Sequence, residues 1–508
     1  ILAKTVGVTL RTSGGVGSSS RISIRGLEGK RIGFFIDELP MSEQTDYLDI
    51  NDIPVDMIDR IEIYKGVVPA RFGGSSLGGA INIVIREYPD KYADLSYGYE
   101  SFNTHKAQGV FKRNLKARGL VFGIGGGYTT SDNNYTFDSP YREGLRITRN
   151  HDKYRKYIIG GSFKAKKWWF DEVEFEPVVV KTYKEIQGIE YDIREAHSES
   201  LMAGLANKLT KDNFLTEGLN FDMFNGVVLT KMNFIDKATR RYEWDGSSYP
   251  TPSRYGGEVA YNFPSDSDDQ KLSFINKTNL EYIINERHSF NFNSVFSIAK
   301  GTPKDELKTL SLGKQVNFDS RMHSWVSGVT YDLRSLDDVF LNSLTVRYYQ
   351  YTMHTQMAPL FVPGKYDVDL QKNNWGVNNA MRYRFLPSLM GKLSAGYEVR
   401  IPSENELLGD GISVVPSADL LPERNASANL GLLFDLTGKH PTNAQIEMNF
   451  FYMYLQDMIR YTAGLIGAQY QNFGEMRTLG VEFEAKADVL PSLYAYVNTT
   501  YQDLRDTR

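Results

Sequence analysis

The feature that most constrains this chain is a period-two alternation of apolar and polar residues, which recurs through almost everything after residue 90. In residues 289–298, for example, Phe290, Phe292 and Phe296 alternate with serine and asparagine. Such alternation predicts β-strands that have one apolar and one polar face. Helical periodicity is scarce over the same region. The pattern therefore predicts an all-β fold dominated by a large antiparallel sheet.

Two kinds of large sheet fit this pattern: a soluble sandwich or propeller, and a membrane barrel. The alternating segments are long, their polar faces carry charges, and aromatic residues gather near strand ends, as at Tyr348, Tyr349 and Tyr351. An apolar exterior with aromatic girdles and a polar interior is typical of outer-membrane barrels. No fixed repeat of about 40–50 residues is visible, which counts against a propeller. We therefore favour a barrel that spans the bacterial outer membrane.

The first 87 residues are organised differently from the rest. Short strand-like runs alternate there with Gly-rich turns, which predicts a small α+β domain over residues 1–87 and a barrel domain over residues 88–508. Residues 73–79 (GGSSLGG) resemble a phosphate-binding loop, but a strand pattern follows them and no Lys-Ser/Thr pair closes the loop. The glycines are better explained by tight turns and close packing.

Composition excludes several functional classes. The chain has no cysteine, so disulfides, thiolate metal sites and cysteine catalysis are ruled out. The net charge is −4, which gives no basic field for nucleic acid. No H-E-x-x-H zinc motif is present, so we predict neither an enzyme nor a resident cofactor. The acidic run at 265–269 could hold a structural Ca²⁺, although it lacks the EF-hand glycine and glutamate, and a solvated charge run is favoured.

Four motifs of the N-terminal region occur at residues 19–26 (SSRISIRG), 36–40 (IDELP), 58–66 (IDRIEIYKG) and 68–85 (VPARFGGSSLGGAINIVI). In sequence and order they resemble the plug domain of a known family, the TonB-dependent outer-membrane receptors. Two more resemble segments of its barrel, at residues 400–425 (RIPSENELLGDGISVVPSADLLPERN) and 472–484 (NFGEMRTLGVEFE).

This resemblance implies a 22-stranded barrel whose lumen is filled by the plug. Residues 88–508 suffice for about 17 strands at roughly 25 residues per strand and its loops. We therefore expect the sequence to be truncated at both ends. A segment that contacts TonB would precede Ile1, and further strands would follow Arg508.

The resemblance also implies two sets of plug residues. Glu28, Lys30, Gln44 and Tyr47 lie on turns expected to face outward and are the candidates for ligand contact.

The second set would lock the plug to the wall. It consists of the plug residues Arg25, Glu62, Lys65 and Arg71 and the wall carboxylates Glu398 and Glu482. A buried plug arginine needs a carboxylate partner. Lys65 stands where many relatives have arginine, so the charge is kept there but the bidentate fork is lost.

The function implied by the resemblance is energised uptake of a scarce extracellular small molecule, with a ferric siderophore as the first choice. Cobalamin, or an oligosaccharide or peptide delivered with a surface lipoprotein, is the alternative, and a passive porin or an outer-membrane enzyme is less favoured. The expected partners are the TonB–ExbB–ExbD energy complex, the ligand and outer-membrane lipid. Haem is disfavoured because residues 400–425 contain no histidine.

Overall fold

We describe a computed structural model of the chain. The structure describes residues 5–12, 14–18, 20–41, 53, 57–74, 76–166, 169–259, 264–315, 317–335, 338–358, 363–409, 414–437, 443–463, 468–490 and 492–507. Two parts are visible within these residues: a small N-terminal domain, which we call the plug, and a large sheet that curves around it as a barrel wall.

The plug consists of two small sheets. Strands β1 to β7 are Val8–Thr12, Ser20–Ile24, Leu27–Glu28, Ile32–Ile36, Leu39–Pro40, Ile58–Lys65 and Gly79–Ile85. The first three form one sheet, and the other four form a second sheet in the order β5-β4-β7-β6, in which β4 and β7 are parallel. Short 3-10 turns occupy Gly29–Arg31 and Ala70–Phe72.

Alternating side chains of these strands build the plug core. Ile24, Ile32 and Ile81 are buried together, and Phe72 meets Phe35 edge-on at 5.0 Å between ring centroids. Gly79 has φ +127°, and a Cβ there would lie 2.1 Å from the Tyr64 carbonyl oxygen. Only glycine fits this crossing, which explains the end of the Gly-rich turn.

The wall follows in chain order. Strands β8 to β31 are Lys91–Glu100, Thr104–Leu115, Leu120–Ser131, Thr136–Asp138, Arg146–Thr148, Tyr154–Lys166, Glu172–Glu185, His197–Lys211, Leu219–Asp236, Arg240–Tyr242, Ser248–Pro250, Ser265–Asp266, Asp269–Asn285, His288–Thr302, Ser320–Arg334, Phe340–Met357, Tyr366–Leu386, Leu389–Arg400, Glu423–Asp435, Ala444–Gln456, Ile459–Ala463, Ala468–Asn472, Met476–Leu490 and Leu493–Asp506. Within the described residues, seventeen of these are wall strands of 10 to 21 residues, each antiparallel to its neighbour in sequence.

The connections differ between the two ends of the wall. Turns such as those at 286–287 and 387–388 lie at one end, which we call the short-turn rim. Long loops lie at the other, the long-loop rim, and carry the small hairpins β11–β12, β17–β18 and β28–β29. Two short helices also lie there, α1 (Glu306–Leu312) and α2 (Glu404–Leu408). The barrel and plug predicted from the sequence are confirmed.

The alternation predicted for the strands has the expected orientation. Phe290 and Phe292 are 42% and 39% exposed on the outer face, whereas Asn291 and Asn293 between and beside them are buried on the inner face. None of the described helices is long and apolar enough to cross a membrane. The last plug strand ends at Ile85 and the first wall strand begins at Lys91, on either side of residue 87.

Candidate functional site

The contact between plug and wall is the candidate site, and its centre is a buried ion pair. Arg25 follows β2 with φ +52°, in a tight turn with Gly26 that directs its side chain into the wall. Its Nε donates to Oε1 of Glu482 at 3.0 Å, and its Nη2 donates to Oε2 at 3.0 Å. Both side chains are nearly inaccessible to solvent, at 3% and 0% exposure. This two-point geometry makes the pair a strong and directional link.

Other groups complete the surroundings of this pair. Nη1 of Arg25 donates to Oδ1 of Asn429 at 2.5 Å, and the guanidinium lies 4.4 Å from the centre of the Phe451 ring. A Cβ on Gly7 would lie 2.0 Å from Oε1 of Glu482, so the plug backbone packs directly on the carboxylate. The wall therefore surrounds the plug arginine with acceptors and an aromatic face.

Lys65 reaches the same carboxylate. Its Nζ lies 3.4 Å from Oε2 of Glu482. Burial lowers the pKa of the Lys65 ammonium, and the negative charge of Glu482 opposes that shift. One wall carboxylate thus binds two plug cations, the guanidinium of Arg25 through two nitrogens and the ammonium group of Lys65 through one.

An apolar seam runs beside these charges. Leu27 and Leu77 of the plug are buried against Phe451, Met453 and Leu455 of β27. Nδ2 of Asn425, on β26, donates to the Leu77 carbonyl oxygen at 2.8 Å. The plug is therefore held on the β26–β30 side by ion pairs, apolar packing and a backbone hydrogen bond together.

A second charged cluster lies at the long-loop rim, and sequence reasoning did not assign it. Arg31, in the plug turn Gly29–Arg31, donates through Nη2 to Oε1 of Glu423 at 2.6 Å. Arg400 donates through Nε to the other oxygen of Glu423 at 2.7 Å and through Nη1 to Glu406 at 2.8 Å. Glu423 is fully buried and also accepts from the Ile459 backbone N–H at 2.6 Å. The available signal was the motif at 400–425, which contains Arg400, Glu406 and Glu423, three of the four charged residues of the cluster.

Glu406 links this cluster to α2. Its carboxylate accepts from the Ser403 N–H at 2.7 Å, and the Ser403 hydroxyl accepts from the Glu406 N–H, which is a capping box at the start of the helix. Burial raises the pKa of Glu406, but the charge and hydrogen bonds of Arg400 outweigh it and lower the pKa to about 2. The carboxylate is therefore ionised at any physiological pH.

The predicted ligand-contact residues have different surroundings. Lys30 is half-buried and donates through Nζ to the Ser403 hydroxyl at 2.7 Å, so it contacts a wall loop. Glu28 lies in β3, half-buried, just before the same plug turn. Gln44 and Tyr47 lie outside the described residues. A role of these four residues in ligand contact stays a prediction.

Two of the predicted locking residues make their described contacts inside the plug. Glu62 accepts hydrogen bonds from Asn82 at 3.0 Å and from the Tyr64 hydroxyl at 3.1 Å, and the first of these lowers its pKa. Arg71 pairs with Glu38 of the plug at 2.9 Å. These charges therefore stabilise the plug itself in this structure.

Glu398 has its described partners on the wall. It accepts from the Tyr349 hydroxyl at 2.5 Å and lies 3.4 Å from Nη1 of Arg347. Arg347 in turn donates through Nη2 to the plug carbonyl of Val68 at 3.5 Å. Among the described residues, Glu398 is thus linked to the plug through Arg347.

A further contact between the wall and the plug also uses a plug backbone carbonyl. Lys277, on β20, is buried and donates through Nζ to the Glu38 backbone oxygen at 2.6 Å. Glu38 has φ +65° and follows Asp37, which has φ +47°. Burial raises the pKa of Asp37, which accepts from the Ile85 N–H at 3.0 Å.

A cavity of about 1000 Å³ separates plug strand β6 from the inner wall between β23 and β31. Its lining includes Lys65, and it also includes the wall residues Lys392, Glu447, Glu484 and Lys486. Lys392 pairs with Glu447 at 3.0 Å. Charges of both signs therefore line the space beside the plug.

Two sequence patterns with catalytic or metal-binding potential have structural explanations. Residues 74–78 (GSSLG) match the spacing G-x-S-x-G, but strand β7 follows, whereas a nucleophile elbow requires a helix. In the acidic run, the Ser265 hydroxyl donates to Asp305 at 2.6 Å, and the Lys304 N–H donates to Asp269. In the described part of the chain, no group of three or more His, Cys, Asp or Glu residues could hold a metal ion.

Comparison with known proteins agrees with this architecture. Residues 1–80 match the family model of the TonB-dependent Receptor Plug Domain, and residues 210–508 match that of the TonB dependent receptor-like beta-barrel. The chain is 23% identical to the ferric enterobactin receptor of Pseudomonas aeruginosa over 253 residues, which are 47% of this chain and 32% of the relative.

Two other matches are informative. The chain is 31% identical to the vitamin B12 transporter BtuB of Vibrio vulnificus over 84 residues, or 16% of this chain and 14% of that protein. The solved FrpB iron transporter of Neisseria meningitidis (F3-3 variant) superposes with a TM-score of 0.73 at 12% identity, over 100% of this chain and 77% of that one. The matched stretch spans at most about a third of these curated relatives.

Proposed function

Because the chain belongs to the family of TonB-dependent receptors of the bacterial outer membrane, we propose that it imports a ferric siderophore in an energised cycle. The barrel would provide the passage through the membrane and the plug would close it. The ligand would bind at the long-loop rim.

One observation carries the transport proposal: the plug is held in the lumen by buried ion pairs. Removing one partner of a buried pair such as Arg25–Glu482 would leave the other charge buried and unpaired at a cost of about 3–5 kcal/mol, so these charges are satisfied only while the plug is seated against the wall. A passive pore does not account for such a contact. A plug that is displaced by external work does account for it, and we propose that the TonB–ExbB–ExbD complex supplies that work.

The ligand class rests on the relatives. The Pseudomonas relative is named as a receptor for ferric enterobactin, which supports an iron chelate as cargo. The match to a vitamin B12 transporter supports cobalamin as the second candidate. An oligosaccharide or peptide handed over by a surface lipoprotein is a third. In each case the protein would act by binding and movement, without a resident cofactor and without covalent chemistry.

Uptake by cells tests this proposal. Iron-starved cells that carry the full receptor should accumulate radioactive iron from ferric enterobactin, and deletion of the receptor gene or addition of an uncoupler should abolish the uptake. The Glu482→Ala variant, produced at the same level, shows whether uptake depends on the contact between plug and wall. Uptake of labelled cobalamin without iron uptake would replace the siderophore proposal with its alternative. Uptake that persists with the uncoupler would contradict energised import altogether.

A further inference from the structure

The loop between β25 and β26 folds into the barrel. We call residues 401–422 the inner loop; the structure describes 401–409 and 414–422. Its Leu407 and Leu420 are buried, at 0% and 2% exposure, in one cluster with Tyr349, Tyr351 and Met353 of β23. Burying each such side chain contributes about 1.5–3 kcal/mol relative to leaving it exposed to water. The inner loop is therefore packed against the inside of the wall.

Two consecutive residues of the inner loop join the plug to a distant strand. Ser403 accepts from Nζ of Lys30 on the plug at 2.7 Å, and Oε2 of Glu404 lies 2.9 Å from Nζ of Lys271 on β20. Five strand-to-strand steps separate β20 from β25, which is roughly 24 Å of wall at about 4.8 Å per step. Glu404 thus pairs with a lysine far from the strand that carries its loop.

The two contacts hold the ammonium groups of Lys30 and Lys271 against adjacent residues of the inner loop. The side chains of Lys271 and Glu404 are 23% and 14% exposed, so the pair is largely shielded from solvent. A carboxylate is an anionic oxygen ligand for an ammonium group, and an anionic chelate carries the same kind of group. Any such ligand that reaches Lys271 must compete with Glu404.

We propose that Glu404 is an internal competitor that occupies the anion-binding position of Lys271 until an anionic ligand displaces it. This inference deepens the proposed function, because it assigns an anionic chelate as the ligand class. Displacement frees the Glu404 carboxylate from Lys271.

The test neutralises each partner of the Lys271–Glu404 ion pair in turn and expects opposite changes in ligand affinity. Binding of ferric tris-catecholate, which is trianionic, is measured by fluorescence quenching on the full receptor in detergent. Lys271→Gln should weaken binding about fivefold, and Glu404→Gln should tighten it about fivefold, because the competitor is gone. A neutral ferric tris-hydroxamate should show neither change. Asp266→Asn is the matched control, since Asp266 pairs with Lys237 elsewhere on the long-loop rim.

Several results overturn the inference. If both substitutions weaken binding, the pair is structural and Glu404 does not compete. If neither changes binding of the trianionic probe, or if that probe does not bind, Lys271 is not an anion site. Melting temperatures of the variants check folding, and Glu404→Gln must bind more tightly than the unsubstituted receptor, which a folding defect cannot produce. If these negative binding results are found while energised iron uptake is intact, the proposed function stands and only the inference fails. If the two substitutions change binding in opposite directions but cells show no energised uptake, only the import proposal is rejected.

Discussion

The plug meets the wall differently on its two sides. On the β26–β30 side, the charged contacts join plug side chains to wall side chains, as in Arg25 with Glu482 and Arg31 with Glu423, beside a hydrogen bond from Asn425 to a plug carbonyl. On the β20–β23 side, the charged contacts instead join wall cations to plug backbone carbonyls, as in Lys277 with the Glu38 oxygen. The first kind of contact depends on residue identity in both partners, and the second on only one. The β26–β30 side should therefore be the stronger and more specific anchor.

The largest expected effect is at the centre of that anchor. Glu482→Ala leaves Arg25 and Lys65 buried without their shared carboxylate, which should cost about 3–5 kcal/mol. We expect a fall of that size in the free energy of unfolding of the plug, measured by urea titration of the receptor in detergent. Protease digestion of the plug should become faster in parallel.

The matched control is two residues along the same strand. Glu484 also faces inward but pairs with Lys486 of the wall, so Glu484→Gln should change the unfolding free energy by less than about 1 kcal/mol. Equal losses in both variants would mean that the wall strand was disturbed and that the ion pair has no special weight.

The next largest effect on stability is expected in the charged cluster at the long-loop rim, and it depends on pH. The folded pKa of Glu406 is about 2, below the ordinary 4.5, so its stabilising contribution is present above pH 4.5 and is lost as the pH falls through 2. That shift corresponds to about 3 kcal/mol. The stability gap between the unsubstituted receptor and Glu406→Gln, from urea titrations, should narrow by that amount between pH 5 and pH 2. A constant gap would show that Arg400 does not depend on the charge of Glu406.

The sequence was sufficient for the fold because the period of two is a direct consequence of strand geometry. Side chains alternate across a strand, so a lipid-facing phenylalanine at 290 or 292 requires a lumen-facing residue between them. The Gly-rich turn was likewise predictable, since only glycine can pass the Tyr64 carbonyl at Gly79. The pairing of strands adds little further information, because successive strands pair in chain order.

The site was predictable only where both partners are charged side chains in recognisable motifs. Arg25, Lys65 and Glu482 were each identified, although 457 residues separate Arg25 from Glu482 and the pairing itself could not be derived. The contact of Lys277 left no signal, because a backbone carbonyl is present at every residue. The charge of a plug residue also does not show whether its side chain contacts the wall or the plug itself, since Glu62 and Arg71 make their described contacts within the plug.

A smaller effect is expected on the β20–β23 side. Lys277→Met removes the donor to the Glu38 carbonyl, which costs about 1–3 kcal/mol, but it also removes a buried ammonium group that is costly to desolvate. The net loss of unfolding free energy should be about 1 kcal/mol by the same urea titration. A loss as large as that of Glu482→Ala would remove the difference between the two sides.

The smallest effect is expected at Arg71, whose pair with Glu38 lies in the plug and is 54% and 37% exposed. Solvent screens such a pair, so Arg71→Ala should lower the unfolding free energy by less than about 1 kcal/mol. Added salt should reduce even this loss, because mobile ions screen exposed charges, while leaving the effect of Glu482→Ala largely unchanged. Parallel urea titrations at low and high ionic strength check both statements. A salt-resistant loss above about 2 kcal/mol would mean that Arg71 anchors the plug to the wall, and the β20–β23 side would then also depend on a plug side chain.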